Sequence, residues 1–503
     1  MKKLIAAFIA LLMFTNAQSQ ELCGTAPPDS ATLSYLRAVG EQYRSRTQER
    51  LANQTMINVP IQMHIVPNFN GSKYDYNTML TVLCELNTKF EPAGIRFWLY
   101  GVNYINEPSL YNHTSYQTGY NMLIQYNEPF VVNTFFVNLS PIGLCGYAFF
   151  PNQGPGTTFR NGGLMMSVGC SQIGNTTLAH EMGHYLALPH PFDGTSNDPA
   201  SPISERVTRL PNDTANNRLP ANCHWAGDMF CDTRADFISN RWSCAGAPPT
   251  QLDVNGDLFD PDETLYMSYS LDACANRFSE EQINTMRHTV VGDSVVPGSR
   301  NYLQVRQMPA ASPITSNSTP LFPNSSSTVI NSDWAQFGWS AAAGATHYLF
   351  RILRSNSIIV YEAVVADTQH VLNSFPLTTG TSYTWTVRPY NHAYTCAPTS
   401  SPGQFRAGQN FATSLAEQQA AKINIYPTLL NPGDALQIDL SQVEAAPQGW
   451  QLTLIDMHGR TIHNQLLQDD QMHTVRFNEL QAGLYQLRLQ GGGLVKHSKI
   501  VVQ

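Results

Sequence analysis

The sequence predicts a multidomain protein, with one α/β domain over residues 57–303 followed by two all-β sandwich domains over 304–412 and 421–503. Three observations predict it. A chain of 503 residues is too long for one ordinary core. Between 57 and 303, strand-like apolar runs are interleaved with helix-like spacing. After Gly298 the composition shifts to Ser, Asn, Pro and Thr, and beyond that only short alternating runs separated by turns follow.

Taken in order, residues 1–19 read as a secretory signal peptide. Lys2 and Lys3 give a positive start, Leu4 to Phe14 an apolar stretch, and Ala17 or Ser19 a small residue before a cleavage point. No later segment approaches the roughly 18 apolar residues of a membrane span, so an exported protein without a transmembrane segment is expected. Residues 20–56 are polar and rich in Arg and Gln, as in a pro-segment or linker. VPIQMHIVPN (59–68) reads as a strand, and Met79, Leu83, Leu86 and Phe90 fall on one face of a helix. IRFWLYGV (95–102), NTFFVNLS (133–140) and GLMMSVG (163–169) are further strands. Ser279 and Gln282 form a capping box that starts a last helix. Charged residues make up only 13% of the chain and the net charge is −8, which argues against nucleic acid as a partner. Nine cysteines in an exported chain imply disulfides, with at least one cysteine left over.

The chemistry sits in LAHEMGHYLALPH (178–190). His180 and His184 are four apart, so on a helix both imidazoles leave the same face and can share a metal. Glu181 lies beside the first, placed to act as general base on a water. His190 supplies the third ligand that a catalytic zinc needs, leaving one position open. To bring His190 back, the chain must reverse after the helix through a left-handed residue. That residue is Ala187, at about 1–2 kcal/mol of strain. Zinc ligation is worth roughly 10–16 kcal/mol in small peptides, so the strain does not abolish a site.

With that one substitution the segment resembles the signature of the metzincin zinc proteases. LYMSYS (265–270), AGDMFCDTRAD (226–236) and MSYSLDACANRFSEEQINTMR (267–287) extend the resemblance to the pappalysin-like branch over nearly all of 57–290. The resemblance implies a metzincin catalytic fold, with Met267 in a methionine turn beneath the zinc and Tyr269 stabilising the transition state. It also implies a disulfide between Cys244 and Cys274, with Cys223–Cys231 and Cys145–Cys170 as further candidates. Calcium is implied near the active site, at Asp228 and Thr233. Cys23, in ELCGT, matches a pro-segment cysteine whose thiolate fills the fourth zinc position and keeps the enzyme latent. A disulfide from Cys23 to Cys84 or Cys396 is the competing reading. DVNGDLFDPDE (253–263) has its glycine in the wrong place for an EF-hand and reads as a loop.

Trp339, Ala345, Tyr348, Tyr383, Trp385 and Val387 resemble a fibronectin type III domain, whose expected role is that of a spacer. From KINIYPTLLNPG onward, LTLIDMHGR (452–460) and LQAGLYQLRL (480–489) resemble the C-terminal sorting domain of the type IX secretion system. That implies passage through the periplasm to the outer surface or medium, with cell-surface attachment as one fate. The expectation is therefore a secreted, latent zinc endopeptidase acting on protein or peptide substrates. The alternative is a non-catalytic adhesin on an inactive protease scaffold, and an intact Glu181 argues for the enzyme.

Overall fold

The computed structural model describes residues 21–45 and 55–503, apart from 152, 154–161, 195–197, 212–217, 239–241, 246–249, 293–297, 327, 332–333, 355–357, 374–376, 409–419, 421, 432, 444–445, 447, 457–459, 469–470, 478–479 and 493. The signal peptide and the arginines at 46 and 50 lie outside the described residues.

The first sheet has six strands: β1 (Glu21–Cys23), β2 (Ile57–Ile65), β3 (Ile95–Tyr104), β4 (Val132–Val137), β5 (Leu144–Ala148) and β6 (Leu164–Ser167). They lie in the order β1-β5-β6-β4-β2-β3. The inner strands β2, β4 and β6 run parallel and are almost wholly buried, as expected of a parallel sheet covered on both faces. Strand β5 turns antiparallel to β6, and β1 adds to its free edge in parallel. Five helices accompany the sheet among the described residues: α1 (Ser30–Ser45), α2 (Tyr76–Phe90), α3 (Tyr116–Tyr126), α4 (Thr177–Tyr185) and α5 (Glu280–Val291). The amphipathic spacing expected of α2 is present, with Met79, Leu83, Leu86 and Phe90 buried and Asp75 capping its first turn from Thr78 N at 2.7 Å. In α5 the expected capping box forms, with Ser279 N donating to Gln282 Oε1 at 2.9 Å.

The segment 20–56 is more than a polar linker. Tyr35, Leu36 and Val39 of α1 belong to the main hydrophobic core, and the Tyr35 hydroxyl lies 3.0 Å from both His288 Nδ1 and Thr289 Oγ1 of α5. These apolar residues are one helical face, masked in the sequence by Arg and Gln on the other faces.

Two all-β sandwiches follow, as expected. Strands between Pro320 and Gly408 form a five- and a three-stranded sheet around Trp339, Phe350 and Trp385. Strands between Asn424 and Val502 form another three- and five-stranded pair around Trp450, Leu454 and Leu487. The first sandwich does not act as a loose spacer. A Cys84–Cys396 disulfide ties it to α2. Arg388 donates to Asn77 O at 2.8 Å and Thr81 Oγ1 at 2.7 Å, and Arg351 meets Asp75 at 2.6 Å. His392 and Leu99 exchange two 2.8 Å hydrogen bonds that cover β3, the other edge of the sheet.

Candidate active site

Helix α4 has nine residues, all buried. A helix this short needs help at both ends. Thr176 makes no side-chain cap of its own; instead Asp272, beyond the methionine turn, accepts from Thr176 N (3.1 Å) and Thr176 Oγ1 (2.6 Å) through Oδ1. Its Oδ2 accepts from Asn175 Nδ2 at 3.0 Å. The carboxylate caps the helix from outside and complements its positive end. Asp272→Ala is therefore expected to lower stability by about 1–2 kcal/mol, read by thermal unfolding of the full chain.

At the other end, Leu188 N donates to Gly183 O and Ala187 N to His184 O, both at 2.9 Å, in a Schellman arrangement. Ala187 sits in the left-handed region at φ 77°, as the spacing predicts. Its methyl is fully buried, and about 0.8 kcal/mol of apolar burial offsets part of the strain. The reversal lets Leu188 O accept from His184 Nδ1 at 2.7 Å and carries His190 back towards the helix.

The three imidazoles converge. Their Nε2 atoms lie 3.0, 3.1 and 3.2 Å apart. His180 Nδ1 donates to Tyr266 O at 2.7 Å, and His190 Nδ1 faces Asp193 Oδ1 at 3.5 Å. With Nδ1 of His180 and His184 holding the proton, their Nε2 lone pairs face one another. Burial pushes the His184 imidazole well below its ordinary range, and its histidine neighbours push the same way. Three such nitrogens repel one another unless a cation lies among them, and one point can sit about 2.0–2.1 Å from all three, the Zn–N length. The donor set therefore fits zinc. Cys23 Sγ joins it, with all four donor atoms within 4.8 Å of one another.

Glu181 is fully buried, and burial pushes its carboxyl up to about 8. Its Oε2 accepts from Thr25 Oγ1 at 3.0 Å and from Cys23 Sγ at 3.6 Å. Residue 146 must be glycine to leave it room, since a Cβ there would lie 2.8 Å from Glu181 Cγ. Met267 is buried under α4, and a Cβ on Gly183 would meet its sulfur at 2.3 Å. Tyr269 packs against His180 and His190 and donates its hydroxyl to Cys23 O at 3.3 Å. Burial holds that phenol neutral far into the alkaline range.

Asp228 and Thr233 also come together, Thr233 Oγ1 donating to Asp228 Oδ1 at 3.1 Å. Two carboxylates not foreseen from sequence lie in the same electrostatic cluster, Glu205 and Asp236. Burial raises all three acids: Glu205 to about 8, Asp236 to about 7, and Asp228 upward with Glu205 adding to the push. Asp228 Oδ2 and Asp236 Oδ2 are buried without hydrogen-bond partners among the described residues. By contrast, Asp253 turns its own loop by accepting from Asn255 N and Asp257 N.

Cys145–Cys170, Cys223–Cys231 and Cys244–Cys274 are disulfide-bonded, and Cys84 is joined to Cys396 rather than to Cys23. Among the described residues Cys23 is the cysteine outside any disulfide, and it is buried. Gly146, Thr25, Asp193 and Asp272 also escape the sequence reading. Only Asp193, three residues after His190, and Thr25, two after Cys23, carry a local signal.

Comparison with known proteins agrees with this geometry. Residues 131–291 match the family described as pregnancy-associated plasma protein-A, and residues 424–503 match the secretion system C-terminal sorting domain. The chain is 24% identical over 277 residues to an extracellular metalloprotease of Arthroderma gypseum, covering 54% of this chain and 83% of that protein. It is 23% identical over 278 residues to one from Pyricularia oryzae, covering 52% and 85%. Among solved structures, mature mirolysin of Tannerella forsythia in complex with a cleaved peptide is similar at 19% identity and a TM-score of 0.38, over 50% of this chain and 97% of that one. Residues 131–291 are thus a metalloprotease domain of the pregnancy-associated plasma protein-A (pappalysin) family, carried on an extracellular or cell-surface protein that ends in a secretion system sorting domain.

Proposed function

We propose that the protein is a secreted zinc endopeptidase, made as a latent precursor, that cleaves peptide bonds of extracellular proteins. The convergence of three histidine Nε2 atoms, the Cys23 thiol and the Glu181 carboxylate in one buried cluster carries this reading. His180, His184 and His190 would hold the zinc. A zinc ion bound there supplies Lewis acidity towards a peptide carbonyl and a more acidic water. Glu181 takes the proton of the attacking water and returns it to the leaving amine nitrogen. Tyr269 donates its hydroxyl to the oxygen that becomes the oxyanion, as it does to Cys23 O in this form.

Latency follows from strand addition. Cys23 pairs with Gly146, and Gly24 N donates to Gly146 O at 2.8 Å, so the pro-segment covers the free edge of β5 that an extended substrate would use. Thr25 Oγ1 donates to Glu181 and accepts from Ala148 N at 2.8 Å, tying the base to the same strand. The Cys23 thiolate would be the fourth zinc donor, displacing water. Activation would need cleavage at or just beyond the end of α1, near Arg44, Arg46 or Arg50. Export would use type IX secretion machinery, followed by release or surface attachment.

Calcium would lie at Asp228 and Thr233, with Glu205 and Asp236 contributing. Raised carboxyl pKa values mean the folded chain binds more protons than the unfolded one between roughly pH 4 and 8, so stability falls as pH rises through that window. In chelator, the Tm is expected to drop from pH 6 to pH 8.5, and millimolar Ca2+ should remove most of that drop. An identical pH dependence with and without Ca2+ counts against calcium there.

The function is tested by gelatin and casein cleavage after pro-segment removal, with and without 1,10-phenanthroline and with zinc added back. Loss on chelation and recovery on zinc addition are expected. A zinc-loaded mature form that cuts no peptide bond sinks the reading.

A further inference from the structure

We propose that Phe192 is a positioning residue of the peptidase centre: its ring, stacked on His190, holds the Tyr269 phenol where it donates to the oxyanion. The proposal rests on the peptidase reading above and on the role given there to Tyr269.

A tight turn brings Phe192 back over the third histidine. Pro191 fixes its own φ, Asp193 N donates to His190 O at 3.1 Å, and Asp193 Oδ2 accepts from His190 N at 3.0 Å. The Phe192 ring then lies nearly parallel to the His190 imidazole, with centroids 4.6 Å apart and planes 12° from one another. It meets Tyr269 edge-to-face at 4.7 Å, and Tyr269 meets His190 in the same way at 5.0 Å. These are the separations and tilts of attractive ring pairs. The three rings close a triangle, and Phe192, 5% exposed, is the member that carries no polar atom. It offers geometry and no chemistry. None of the three belongs to the segment that activation removes.

The other two histidines are held differently. His180 and His184 each place Nδ1 2.7 Å from a main-chain carbonyl, on Tyr266 and Leu188. His190 Nδ1 instead faces Asp193 Oδ1 at 3.5 Å, beyond ordinary hydrogen-bond length, and its ring plane is set by the Phe192 stack. Tyr269 needs the same support. In the precursor its hydroxyl donates to Cys23 O at 3.3 Å, a partner that leaves with the pro-segment. Afterwards the phenol keeps its packing on Phe192, His180 and His190. A donor to an oxyanion works only when it stands where the charge develops. A phenol that tilts away therefore loses rate and leaves substrate binding intact.

The test uses the full chain, activated by limited proteolysis and loaded with zinc. Tyr269→Phe is expected to lower kcat by about 10²–10³-fold, the usual cost of an oxyanion donor. Phe192→Leu keeps apolar volume and gives up the flat ring. It is expected to lower kcat about tenfold, with KM within about twofold of the wild type and zinc content unchanged. In the double variant, kcat should equal that of Tyr269→Phe alone to within about twofold, because Phe192 acts through the lost hydroxyl. Losses that multiply instead would mark Phe192 as a packing residue and overturn the proposal. So would an unchanged kcat in either single variant. A fluorotyrosine at position 269, followed by fluorine NMR of the mature form with and without zinc, reports the ring itself. Phe192→Leu should shift and broaden that signal, and an unaltered signal overturns the proposal. Should Phe192→Leu fail to fold, Phe192→Met fills the space with a flexible side chain and takes its place in the cycle. If the wild type cuts no peptide, the peptidase reading falls together with the proposal, whereas an active wild type with multiplying losses sinks the role of Phe192 alone.

Discussion

Replacing Glu181 with glutamine is expected to lower kcat by about 10²–10⁴-fold, the usual contribution of a positioned general base. KM and zinc content should stay close to those of the wild type. Glutamine keeps the shape that fits against Gly146, and it can still accept from Thr25 Oγ1, so packing and the strand contact survive. The capacity to take a proton is lost. Burial already pushes the Glu181 carboxyl up to about 8, so the charged form is a burden on the fold and the neutral amide should not lower the Tm. Steady-state kinetics on the activated full chain, with metal analysis and thermal unfolding alongside, separate the two roles. A large fall in Tm with a small fall in kcat would mark Glu181 as structural.

Cys23→Ala is the second large effect. The purified precursor is expected to show basal hydrolysis at least about tenfold above the wild-type precursor, since a thiolate is a strong zinc ligand and alanine is none. Latency should weaken without vanishing. The β1–β5 pairing and the burial of Tyr35, Leu36 and Val39 still hold the pro-segment over the cleft. Once the pro-segment is removed, the variant and the wild type should share one kcat/KM, because the difference has been cut away. A time course of cleavage during incubation of the two precursors checks this. Equal basal rates would leave no role for the thiol in latency.

How much of this was legible in the sequence depends on distance along the chain. His180, Glu181 and His184 were readable because a helix fixes which residues share a face. His190 and the strained Ala187 were readable because a chain of six residues can return to the helix in few ways. The α/β core and the sandwiches announced themselves through period and alternation. What pairs across the fold was hidden. Gly146 looks like any strand glycine until Glu181 is placed against it. Asp272 looks like a loop acid until it caps a helix almost a hundred residues earlier. Arg351 and Arg388 read as ordinary strand residues, yet they fasten the first β-sandwich to α2. A truncation ending near residue 303 would expose those polar contacts and leave Cys84 unpaired, so functional work belongs on the longer chain.

Zinc K-edge absorption of the full-length precursor, before and after pro-segment removal, reads the metal shell itself. Three nitrogen neighbours at about 2.0–2.1 Å and one sulfur at about 2.3 Å are expected in the precursor, with the sulfur replaced by oxygen in the mature form. A zinc shell without sulfur in the precursor, or one that does not change on maturation, would contradict it.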